Sequence, residues 1–117
     1  MTADFRAAGG VVDQSVDAQR YLQARGAGGL TLNRETILLP ANPTRTAVFE
    51  ELVHAERFRR GVTIEAGRGG VLQFEAEAAE TLIRNRHAWQ LPAEEVRQVI
   101  ENLRNIRAEL QRLGAGQ

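Results

Sequence analysis

At 117 residues, with zero formal net charge, 43% hydrophobic and 26% charged, the chain has ordinary globular composition. That excludes intrinsic disorder and any global field for drawing in nucleic acid or an anionic membrane. It holds no cysteine, so disulfides, thiolate metal sites and cysteine nucleophiles are excluded, and a metal would need nitrogen and oxygen ligands, with His54 and His87 as the two imidazoles.

No apolar run approaches the length of a membrane span, and the N-terminal Met-Thr-Ala-Asp-Phe-Arg lacks the pattern of a secretory signal, so a soluble chain is expected. Every Lys/Arg position is arginine, which fits a GC-rich coding sequence. The length suits a single domain over residues 1–117, with 1–9 and 114–117 loose.

Taken in order, Val12, Val16, Ala18, Leu22 and Ala24 predict a helix over 11–25, capped by Asp13 or Ser15 and ended by Gly26. Gly26-Ala27-Gly28-Gly29 lacks the spacing of a dinucleotide fingerprint and reads as a flexible turn. Leu30–Leu32 and Glu35–Leu39 predict a hairpin about Asn33-Arg34, and Pro40 and Pro43 end its second strand. Asn42 or Thr44 starts a helix that runs to about Arg60 and stops at Gly61. A glycine-containing connection follows over 61–70, with a short strand at 62–64 as an option. The next helix is predicted from Val71 to Trp89. Leu91-Pro92-Ala93-Glu94-Glu95 then restarts a helix to Leu113. Its apolar positions Val96, Val99, Leu103, Ile106, Leu110 and Leu113 step by threes and fours, as in a seam that packs inside the domain. The fold class is α+β, mostly helical: a small β-hairpin or sheet packed on a central helix, with two further C-terminal helices.

Chemical capacity concentrates in that central helix. At about 100° per residue, Val48, Phe49, Leu52, Val53 and Ala55 form one apolar face, and Glu50, Glu51 and His54 converge on the opposite side with Arg57 beside them. Metal-assisted hydrolysis needs protein ligands, an open position and a base, and its familiar helical form is His-Glu-x-x-His. Aligned to that pattern, Glu50 replaces the first histidine, Glu51 takes the base position and His54 is the second ligand. For the third ligand, Glu77 shares a polar stripe with Thr81 and Arg84; Glu80 is next, and Glu75 lies nearer the apolar side. The alternative for these residues is a solvated face, with Glu80 pairing Arg84. His87 reads as a cation at a helix C-terminus, with a ligand role the alternative.

Tyr21-Leu22, Gly26–Gly29, Thr36–Leu39, the Glu50–Glu56 run, Glu75–Ala78 and Leu82–Asn85 together resemble the zincin-like metallopeptidase domains of bacterial polymorphic toxins, over residues 20 to 100. The departure is Glu50 where the commonest zincin motif has histidine. The resemblance implies zinc or another divalent metal on Glu50, His54 and Glu77, Glu51 as general base, and a protein substrate. Arg57 or Arg84 would steady the oxyanion or orient substrate. It also implies delivery into a target cell as part of a larger secreted toxin, and a cognate immunity protein. Two alternatives stand beside it: a non-catalytic binding module on the same fold, and a toxin acting on nucleic acid, for which few aromatics interleave the arginines.

Overall fold

The computed structural model describes residues 2–115. Among them are five helices and three strands: α1 (Ala3–Ala7), β1 (Val11–Asp13), α2 (Val16–Arg25), β2 (Leu30–Thr31), β3 (Thr36–Leu38), α3 (Arg45–Arg59), α4 (Arg68–Arg84) and α5 (Ala93–Ala115). The fold is α+β and mostly helical, as the order of sequence runs predicts. Among the described residues no helix is long and apolar enough to cross a membrane. The chain divides into two compact units, Met1–Val62 and Thr63–Gln117.

The first unit is built around β3. Its sheet has the order β1-β3-β2, with β1 parallel to β3 (Val12 opposite Ile37) and β2 antiparallel to it (Thr31 opposite Ile37). The central run Ile37-Leu38-Leu39 is apolar at every position because both faces of the sheet are covered. Side chains alternate across a strand. Ile37 and Leu39 therefore pack with Val48 and Ala55 of α3, while Leu38 packs with Ala18 and Leu22 of α2. The hairpin turn spans Asn33 to Glu35, with Leu32 N–H donating to the Thr36 carbonyl. Asn33 Oδ1 accepts from the Glu35 and Thr36 amides at 2.8 and 3.0 Å, which supplies turn chemistry without a glycine.

Two N-terminal expectations are corrected. Residues 3–7 form the short helix α1, whose Phe5 packs on the core beside β3. Val11 to Asp13 form a strand, because β3 offers an open edge: Val11 N–H donates to the Glu35 carbonyl and Leu39 N–H to the Asp13 carbonyl. The helix then begins at Val16. The Ser15 hydroxyl caps it by accepting from the Ala18 amide, and Asp13 Oδ1 accepts from the Ser15 amide at 2.9 Å. Gly26 ends it as predicted, in the left-handed conformation at φ 62°.

The second unit pairs α4 with α5. Ala76 and Ala79 of α4 let the helices approach, and Leu103 fills the space between them, flanked by Ile83, Val99 and Ile106. Val99, Leu103 and Ile106 of the predicted seam thus pack within this unit, whereas Leu113 at its end is exposed. Residues 62–64 form no strand. α4 starts at Arg68, ahead of the predicted Val71, and ends at Arg84 rather than Trp89. The chain there turns through a left-handed Gln90 (φ 53°), closed by Leu91 N–H donating to the Arg86 carbonyl. α5 continues to Ala115, so Gly114 is helical, and residues 116–117 lie outside the described residues.

Candidate metal centre on α3

α3 begins where Thr44, in extended conformation, accepts from the Ala47 amide through its hydroxyl at 3.1 Å. Thr44 is one of the two predicted starts, and the predicted stop at Arg60-Gly61 also holds. The helix face does not divide as the 3.6-residue period suggests. Val48, Val53 and Ala55 are buried as expected, but so are Glu51 and His54, and Phe49 and Leu52 are only half-buried. A solvated polar face is therefore overturned for Glu51 and His54. β2, β3 and Gly29 pack against the helix, and amphipathic periodicity cannot register surroundings from distant sequence.

Glu50 and His54, one turn apart, come together. His54 Nε2 lies 3.9 Å from Glu50 Oε1, with side chains 8% and 39% exposed respectively. Burial pushes the His54 pKa down to about 4, helped by the nearby Arg57 charge. Glu50 alone would draw a proton onto the ring, but desolvation outweighs it, so at neutral pH the contact is not an ion pair. A neutral imidazole is the form that binds metal ions. A half-exposed carboxylate beside a buried neutral imidazole therefore fits a divalent ion with nitrogen and oxygen ligands, such as zinc or manganese.

Glu51 points elsewhere. It is 6% exposed, and its Oε1 lies 3.0 Å from Thr31 Oγ1 of β2. The same hydroxyl is 3.0 Å from the Glu51 carbonyl, so its single proton has two acceptors on one residue. Gly29 explains how the carboxylate fits. A Cβ at that position would stand 2.8 Å from Glu51 Oε2. The loop read as a flexible turn is thus shaped to Glu51, and neither Gly29 nor Thr31 was singled out by motif reading. The one local hint is a glycine next to a β-prone run, where a backbone can approach closely.

Arg57 is half-buried on α3, and Glu56 beside it is held by Arg59 at 2.6 Å and Arg60 at 3.2 Å. Glu77 and Arg84 belong to the second unit. Glu77 is exposed, and its Oε1 accepts from Gln73 Nε2 at 3.0 Å. Glu75 is half-buried, and Glu80 pairs with Arg107 at 2.8 Å rather than with Arg84. His87 is exposed in the turn after α4, so the expected place on the last turn of a helix is corrected. Comparison of the chain with protein-family models, with curated proteins and with solved structures gives no match.

Proposed function

We propose that α3 carries the metal site of a small hydrolase of the peptidase class, with Glu50 and His54 as ligands and Glu51 as the proton acceptor. The supporting observation is the buried, uncharged His54 beside Glu50, with Glu51 next in the chain. A divalent ion held there supplies Lewis acidity and an activated water. The protein's own part is to keep His54 deprotonated by burial and to move a proton on the Glu51 carboxylate, which must release the Thr31 hydroxyl to reach the ion. The resemblance implies a further acidic ligand, Glu77 by its polar stripe, with Glu80 and then Glu75 as the alternatives. The family resemblance extends the proposal to a toxin or effector domain acting on a protein and neutralised by an immunity partner.

Metal content of the purified protein, measured by elemental mass spectrometry, is the test. About one ion per chain is expected in wild type and in Glu51→Gln, with loss in Glu50→Ala and His54→Ala. Reading Glu77→Ala, Glu80→Ala and Glu75→Ala alongside tests the acidic ligand that the resemblance implies. No ion in wild type after incubation with zinc or manganese would overturn the site. With metal bound, Glu51→Gln is expected to abolish hydrolysis of a peptide library, and unchanged turnover would remove Glu51 as the base.

One observation favours a second reading, a non-catalytic binding module. The Glu51 carboxylate is buried against Thr31 and Gly29, as a structural carboxylate would be. Partner binding that survives both Glu51→Gln and chelation would establish that reading.

A further inference from the structure

A second site lies within the α4–α5 pair. Towards the C-terminal end of α4 the two helices leave an open cleft of about 530 Å³, lined by Glu80, Ile83 and Arg84 of α4 and by Ile100, Leu103, Arg104 and Arg107 of α5. The spacings i, i+3, i+4 on one helix and i, i+3, i+4, i+7 on the other place these residues on facing stripes. Ile83, Ile100 and Leu103 make an apolar floor, and the charges stand on the rim. Arg107 is paired with Glu80 at 2.8 Å. Arg84 and Arg104 are exposed, and among the described residues their side chains make no hydrogen bond or ion pair. The rim therefore carries three guanidinium groups against one carboxylate, with two of the three unmatched.

We propose that this cleft docks an acidic segment of a partner protein, in which an aliphatic side chain sits on the floor and flanking carboxylates pair with Arg84 and Arg104. Charge complementarity selects the occupant. Guanidinium forks match carboxylates in two parallel hydrogen bonds and hold them better than a point charge does. An apolar floor requires a side chain to cover it, which the anionic groups alone do not provide. A single-stranded nucleic acid would bring phosphates, but no aromatic lines the cleft to stack its bases, and the Glu80 carboxylate would face its backbone. The open shape also suits a peptide better than an enclosed small molecule. This site is independent of the metal reading on α3.

The experiment is fluorescence polarisation on the full chain with three labelled probes. They are a helical peptide with leucine flanked by glutamates one turn on either side, its twin with lysine for glutamate, and a thymidine oligonucleotide. The glutamate peptide is expected to bind wild type, more weakly at high salt, and the lysine twin is expected not to bind. Arg84→Glu/Arg104→Glu is expected to weaken the glutamate peptide by roughly tenfold or more. Both positions are exposed, and circular dichroism with Arg84→Ala/Arg104→Ala checks that a loss is not a loss of helix. Absence of glutamate-peptide binding, equal binding by the double variants, or tighter binding of the oligonucleotide would each overturn the proposal.

Discussion

His54 ties stability to pH. Its folded pKa of about 4 lies below the 6.5 of a free imidazole, because burial disfavours the charged ring. Between those values the unfolded chain takes up a proton that the folded chain refuses. The contribution is therefore complete above the unfolded pKa, is lost as pH falls towards the folded value, and amounts to on the order of 3 kcal/mol. Urea unfolding in chelator at neutral pH and near pH 4.5 is expected to show this loss for wild type and a much smaller one for His54→Gln. Equal losses in the two proteins would contradict a buried neutral imidazole. Gly29 gives a second residue-level test. An added methyl would stand 2.8 Å from Glu51 Oε2, so Gly29→Ala must shift the carboxylate or the loop. A destabilisation of about 1–3 kcal/mol is expected. Thr31→Val, which removes the hydroxyl donor, is expected to cost about 1–3 kcal/mol by thermal denaturation. The cluster of Glu50, Glu51 and His54 was legible from spacing alone. The burial of two of them was not: the neighbours of Glu51, Gly29 and Thr31, come from some twenty positions earlier.

Among the elements, β3 carries the first unit. Ile37 is fully buried on the α3 side, and Leu38, its neighbour in the chain, is buried on the α2 side. Ile37→Ala is expected to cost about 2–5 kcal/mol in chemical denaturation. A cost below about 1 kcal/mol would mean that the sheet is not the core described here. The hairpin, the α2 stop at Gly26 and the α3 start at Thr44 were readable because each rests on a local device: a turn, a left-handed glycine, a hydroxyl cap. β1 was not. Val11-Val12-Asp13 suits a strand or a helix start equally, and a parallel partner across α2 and β2 decided between them. The C-terminal end of α4 was missed for a related reason. Arg86 to Trp89 has no glycine or proline to break a helix, and the chain turns instead on a left-handed Gln90.

For the whole molecule, a metal that binds only the folded chain stabilises it by mass action, by about 2.7 kcal/mol at a hundredfold excess over Kd. Thermal scans with zinc are expected to raise the wild-type Tm by several degrees. Chelator should reverse the shift, and His54→Ala should not show it. A shift of the same size in His54→Ala would place the ion elsewhere.

The fold class, the number and order of the main helices, the hairpin, and one helix carrying two carboxylates and an imidazole a turn apart can all be read from the order of residues. All of these follow from periodicity, capping and turn chemistry, which act over a few residues. Packing in three dimensions is what buries His54 and leaves it uncharged, rests Glu51 on Thr31 and Gly29, and makes β1 a strand. The same holds for Arg84, which lines a cleft with Arg104. Burial, and with it pKa and charge pairing, depends on contacts between residues distant in the chain, and no local pattern records those.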